Sequence, residues 1–220
     1  AMFKPFVVRL MADPSGAYTT AAAVVACVEA ALAPQGLQGQ RVLVVGGSGP
    51  VGRIAGVIAA QAGAEVHLAS RGGAAAADDV ARETGQRFGV TLHGASVADA
   101  QALGKAIAQA DVLLSCAAAG KQAVDADALA AATRLKVAAD LNAVPPEGIA
   151  GIGVTDDARP LAGTSAVGIG ALAVGNVKYQ TQQRLLQQMH EAPSALVLSF
   201  PDAFATARAF IAGKSAGPAG

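Results

Sequence analysis

In Val42-Leu43-Val44-Val45-Gly46-Gly47-Ser48-Gly49-Pro50-Val51-Gly52 a β-branched run breaks into glycines and then into helical spacing. Gly47, Gly49 and Gly52 keep a G-x-G-x-x-G spacing between a strand and a helix. The three glycines serve different physical ends, Gly47 allowing the tight turn, Gly49 the backbone approach to a pyrophosphate, and Gly52 close helix–strand packing. The helix start adds unsatisfied N–H donors and the positive end of its dipole. Gly47, Ser48, Gly49, Pro50, Val51 and Gly52 are therefore candidate cofactor-binding residues.

Outward from this loop, short β-branched runs alternate with longer segments of helical period, the mark of βαβ units. The spacing predicts five parallel strands: Val42–Val45, Glu65–Leu68, Val90–Leu92, Val112–Ser115 and Lys136–Leu141. Between them it predicts helices over Pro50–Gln61, Ala74–Arg87, Val97–Gln109 and Asp125–Thr133. Two further helices, Thr19–Ala33 and Ala171–Met189, frame this core, and Ala195–Phe200 with Asp202–Ala212 reads as a strand and a helix. The tail from Gly213 reads as frayed. The expected fold is α/β, a Rossmann-like doubly wound parallel sheet with flanking inter-domain helices. Residues 1–34 read as a junction and first framing helix, 35–170 as the dinucleotide-binding domain, and 171–220 as the returning helix and C-terminal segment.

Composition narrows the function. The chain has 220 residues, 53% of them hydrophobic and 15% charged, enough for a buried core. Sixteen basic residues balance sixteen acidic ones, so no nucleic-acid footprint is present. No apolar run reaches a bilayer span of about 20 residues, so no membrane partner is expected. Two cysteines, Cys27 and Cys116, lack metal-ligand spacing and disulfide density, which suits the cytoplasm. His67, His93 and His190 are scattered, so no metal site is expected, and Ser48 has no nucleophile-elbow context.

Past the second strand stand Ser70 and Arg71 where a carboxylate would read the free 2′-hydroxyl of NAD. A hydroxyl and a guanidinium suit the 2′-phosphate of NADP instead, with NAD kept as the alternative. Ala117, Ala118 and Ala119 after the fourth strand leave room for cofactor. Asn142, after the fifth strand, reads equally as a turn residue and as a wall of the nicotinamide side. Gly168 and Gly170 open the second framing helix, where a glycine-lined start can lie against a flat ring. Lys178 falls two turns on, and by itself reads as a surface lysine.

Four segments together resemble the methylene-tetrahydromethanopterin dehydrogenases of methylotrophic bacteria, relatives of the methylenetetrahydrofolate dehydrogenase/cyclohydrolase enzymes. They are Ala12 to Ala23 (ADPSGAYTTAAA), the Gly46–Gly52 loop, Asp140 to Ile152 (DLNAVPPEGIAGI) and Val167 to Thr181 (VGIGALAVGNVKYQT). The resemblance implies an NADP-dependent oxidoreductase of C1 metabolism. It would take hydride from a reduced pterin C1 carrier and leave a methenyl product, with the cofactor doing the chemistry and the protein holding donor and acceptor face to face. It implies a catalytic role for Lys178, orienting the pterin carbonyl across a cleft from Asn142, and a homo-oligomer as the working form. It also implies an N-terminal αβ domain that this chain lacks. Two other functions stay open, a methylenetetrahydrofolate dehydrogenase and a catalytically incomplete NAD(P)-binding module.

Overall fold

The computed structural model describes residues 8–215. In chain order the elements are β1 (Arg9–Met11), α1 (Ala17–Ala31), β2 (Arg41–Val45), α2 (Pro50–Gln61), β3 (Glu65–Ser70), α3 (Gly73–Phe88), β4 (His93–Ser96) and α4 (Ala100–Ala108). There follow β5 (Val112–Ser115), α5 (Ala126–Leu129), β6 (Val137–Asp140), β7 (Arg159–Pro160), β8 (Val167–Ile169), α6 (Ala171–Glu191), β9 (Leu196–Leu198) and α7 (Phe200–Ser215). The central sheet has the order β4-β3-β2-β5-β6-β8-β7, parallel except for the β7–β8 pair. Chain direction through the sheet reverses beside β2, between β3 and β5, which makes the carboxyl end of β2 the topological switch point.

Strand alternation explains the layers. In β2, Val42 and Val44 join one core with α1, α2, α6 and α7, while Leu43 and Val45 join another with α4 and α5. Ala21 to Val28 of α1 are buried on every side, as expected of a helix whose apolar character runs all round. Its alanines let α2, α6 and α7 approach closely, so the two framing helices pack on one another. A separate parallel pair, β1 with β9, ties the first described residues to the last helix.

Several expected boundaries move. The third strand does not form over Val90–Leu92. Gly89 ends α3 in the left-handed conformation, the Val90 amide bonds back to Gly85, and pairing with β3 begins only at His93. Gly94 lets that strand slide under α3, since a Cβ there would lie 2.5 Å from the Asp78 backbone nitrogen. The helix expected over Val97–Gln109 starts at Ala100, capped by Asp99, because Val97 still bonds to Ser70 as sheet. The helix expected over Asp125–Thr133 has its Asp125 cap but ends at Leu129, where tight turns draw Ala132 and Leu135 into the core. The sheet also gains β7 and β8, of two and three residues, too short to read as strands beforehand. Gly213–Ser215 close α7 instead of fraying, and the remaining tail lies outside the described residues.

Candidate functional site

At the switch point the chain leaves β2 through Gly46, whose φ of +75° is the positive-φ turn. Sequence spacing assigns that turn to Gly47; the structure moves it one residue earlier. A Cβ on Gly46 would lie 2.5 Å from the Cys116 carbonyl oxygen, and one on Gly47 2.9 Å from Leu68 Cα and Ala69 N. The loop is thus wedged between β3 and β5. A Cβ on Gly52 would meet the Gly46 carbonyl oxygen at 2.5 Å, so helix and strand do pack closely there. Gly49 differs: its nearest neighbour would be the Gly46 oxygen at 3.4 Å, an ordinary contact. Nothing within the fold demands a glycine there. Gly49 is also the N-cap of α2, with Pro50 at the first turn and no side-chain cap, so the helix end stays available to an anion.

Beside this loop lies a cavity of about 380 Å³, lined by Gly46, Ser48 and Gly49, by Ala69 near the end of β3 and Arg71 just past it, and by Cys116, Ala117, Ala118 and Lys121 after β5. Val97 and Leu103 give it an apolar wall, and no carboxylate or histidine lines it. Burial, with Asp140 nearby, pushes the Cys116 thiol up to about 12, so it is a neutral wall and not a nucleophile. Ser70 does not line the cavity; its hydroxyl accepts from the Gly72 amide at 3.1 Å and shapes the turn that carries Arg71. Ser48 and Pro50 also face a second cavity, of about 450 Å³, with Tyr18, Arg53 and Phe88. Val51 packs partly into the core, and Ala119 is exposed in its loop.

Asn142 is 5% exposed, and its side chain is spent on backbone. Its Oδ1 accepts from Gly120 at 3.1 Å and Val144 at 3.0 Å, and its Nδ2 donates to the Pro146 carbonyl at 2.7 Å. It therefore clasps the loop after β5 to the loop after β6. Asp140 completes the clasp, accepting from the amides of Asn142, Gly148 and Ile149 at 3.1, 2.7 and 3.2 Å. Both are explained by turn chemistry. The Ser115 hydroxyl beside them is buried without a hydrogen-bond partner among the described residues.

Gly170 caps α6, and its missing side chain is used up by the Gly153–Val154 backbone packed against it. Lys178 is half-buried on α6 with its Nζ beside Gly16, and no ion pair or hydrogen bond engages it among the described residues, Asn142 included. One turn on, Thr181 is fully buried, its hydroxyl without a partner among the described residues. The structure thus gathers Ser48, Gly49, Arg71, Ala117 and Ala118 around one cavity and holds Asn142 behind its wall, while Lys178 stands at the α1–α6 junction. Gly46, Lys121, Val97 and Leu103 are lining residues that motif spacing does not single out. Gly46, Val97 and Lys121 share one signal, a place on the loops that follow the carboxyl ends of β2, β4 and β5, while Leu103 reaches the cavity from α4. Among the described residues no cluster of three metal-ligating side chains occurs and no helix is long and apolar enough to cross a membrane.

No protein-family model matches the chain. Among curated proteins it is 44% identical over 207 residues to an NAD(P)-dependent methylenetetrahydromethanopterin dehydrogenase of Methylorubrum extorquens, covering 93% of this chain and 70% of that protein. It is 35% identical over 193 residues to the bifunctional protein MdtA of the same organism, covering 86% of this chain and 65% of that protein. Both relatives are longer than the segment they share with this chain. Among solved structures, quinate dehydrogenase from Corynebacterium glutamicum in complex with NAD has a TM-score of 0.55 at 15% identity, covering 93% of this chain and 72% of the other. The transhydrogenase from Sinorhizobium meliloti has a TM-score of 0.53 at 19% identity, covering 88% and 60%. These two likenesses establish the Rossmann-like fold.

Proposed function

This chain belongs to the methylenetetrahydromethanopterin dehydrogenase family, and from that membership we propose that it is an NAD(P)-dependent dehydrogenase acting on methylene-tetrahydromethanopterin, with NADP preferred. The observation that carries the reading is Gly49, the loop glycine that the fold does not need, at the uncapped start of α2. A backbone that approaches a pyrophosphate needs that open face. When bound, the nicotinamide supplies the hydride acceptor, and the methylene bridge of the carrier becomes a methenyl bridge.

The residues of this chain hold and orient. Ser48, Gly49 and the first-turn amides of α2 take the pyrophosphate, with Gly47, Pro50, Val51 and Gly52 fixing the loop that presents them. Arg71, on the turn shaped by Ser70, takes the 2′-phosphate. Ala117 and Ala118, on the loop that Asn142 clasps at Gly120, form the far wall with Ala119 beside them on that loop, and Gly170 sets the start of α6. Lys178 orients the pterin carbonyl, since a fixed cation beside a forming cation would oppose the reaction.

In domain terms, residues 35–170 are the cofactor-binding unit, 1–34 the junction and first framing helix, and 171–220 the returning helix and C-terminal segment. The free thiols of Cys27 and Cys116 favour the cytoplasm. A homo-oligomer is supported by Leu172, Tyr179 and Leu186, exposed along one line of α6. Mixing the protein with methylene-tetrahydromethanopterin and NADP should generate the absorbance of reduced nicotinamide. Reduction with methylene-tetrahydrofolate alone would assign the other carrier, and cofactor binding without turnover on either carrier would overturn the catalytic reading.

A further inference from the structure

The cavity beside the glycine loop holds charge that the fold does not use. Arg71 and Lys121 both line it, no carboxylate does, and neither cation has a hydrogen-bond or ion-pair partner among the described residues. Several other basic side chains are matched, as in Arg41–Glu65 and Arg134–Asp111 at the sheet's amino ends and Arg53–Glu83 between α2 and α3. The two unmatched cations come from opposite sides. Arg71 follows β3 and Lys121 follows β5, with β2 and its glycine loop between them. Two strand spacings, roughly 10 Å, separate those strand ends, a span that two long side chains close around one phosphate.

They differ in how firmly they are held. Arg71 stands on a turn held by one local hydrogen bond, from the Gly72 amide to the Ser70 hydroxyl at 3.1 Å, and leads to Gly73, at φ +89° with no atom within 4 Å of a Cβ built there. Lys121 is pinned on both sides: Gly120 donates to Asn142 Oδ1 at 3.1 Å, and Ala123 donates to the Gly148 carbonyl at 2.8 Å. A cation on a fixed backbone loses less freedom when it meets its anion.

We propose that Lys121 is a specificity-determining residue, its ammonium meeting the 2′-phosphate of the adenosine ribose from the β5 side while Arg71 closes from the β3 side. The assignment rests on reading this cavity as the adenosine end of an NADP site. NADP preference then depends on two cations from separate loops, and the Asn142 clasp acts on selectivity by fixing one of them.

Calorimetric titration of the whole chain with NADP, NAD and adenosine 2′,5′-bisphosphate at fixed salt tests it. Lys121→Ala should weaken NADP and the bisphosphate by about tenfold or more and leave NAD unchanged, and Lys121→Arg should restore most of the loss. An equal loss for NADP and NAD would place Lys121 on a part common to both, and no loss for either would leave it in solvent; each result overturns the proposal. A wild-type chain that binds none of the three ligands overturns the nucleotide reading itself, a failure distinct from that of Lys121. Lys121 is exposed, so both variants should keep the wild-type fold by circular dichroism.

Discussion

A side chain on Gly16 would begin 3.2 Å from the ammonium of Lys178. Gly16 is the N-cap of α1 at φ +71°, and Asp13 locks the turn, accepting from the amides of Tyr18 and Thr19 at 2.9 and 3.1 Å and from the Thr19 hydroxyl at 2.7 Å. The lysine is thus held at the positive end of a buried helix with no counter-ion among the described residues. Such a placement costs about 0.3–1 kcal/mol, and a ligand carbonyl or anion received there would offset it.

Lys178→Ala should therefore lower turnover by about tenfold to a hundredfold while leaving the dissociation constant for NADP unchanged. Steady-state kinetics with the methanopterin carrier, set beside a binding titration, separate the two effects. A loss of cofactor affinity with unchanged turnover at saturation would move Lys178 to the cofactor. Gly16→Ala should act in the same direction and also destabilise, by about 1–3 kcal/mol, because alanine is strained at that φ.

Gly49 and Gly52 separate binding from folding. Gly49→Val puts a branched side chain into open space at φ −75° and ψ 164°, a conformation valine accepts. It should cost only about 1 kcal/mol as a poorer N-cap and abolish cofactor binding. Gly52→Val drives its side chain into the Gly46 carbonyl and should prevent folding. Circular dichroism and a cofactor titration on both variants check this, and a folded Gly49→Val protein with wild-type affinity would remove the loop from the cofactor site.

The contrast between those glycines marks what can be read from sequence. Spacing alone locates the loop, because a strand, a turn and a helix start are all local. It places the positive φ on Gly47 and not Gly46, because that choice depends on the Cys116 carbonyl just past β5, about seventy residues away. The third strand shifts to His93–Ser96 for the same kind of reason: Gly94 matters only once α3 lies over it. Asn142 stands out as a turn residue, yet its clasp on Gly120 is a long-range bond that periodicity does not encode. Lys121 has no local motif at all.

Removing that clasp has a measurable cost. Asn142→Ala takes away the acceptor for two amides and the donor to the Pro146 carbonyl, at about 1 kcal/mol each. The denaturation midpoint should fall to match a loss of about 2–3 kcal/mol. Because Ala117, Ala118 and Lys121 sit on the freed loop, NADP affinity should weaken as well. An unchanged midpoint would show the loop held by other contacts.

Acid sensitivity should arise at the opposite end of the sheet. Burial raises the Asp111 carboxyl, but the Arg41 amide at 3.0 Å, the Arg134 guanidinium at 3.1 Å and the Lys136 ammonium at 3.3 Å outweigh it and hold the group below its ordinary value of 3.8. The three partners stand at or just before the starts of β2 and β6, so this carboxylate ties neighbouring strands at their amino ends. A carboxyl lowered by folding contributes stability above its unfolded value and loses it as pH falls through its folded value. Unfolding free energy should accordingly decline as pH drops below about 4, with cofactor affinity at neutral pH untouched because Asp111 lies away from the glycine loop. Asp111→Asn should be less stable at neutral pH and show a shallower acid slope, measured by denaturant titrations across that range. An identical acid slope in the variant would assign the sensitivity to other carboxylates.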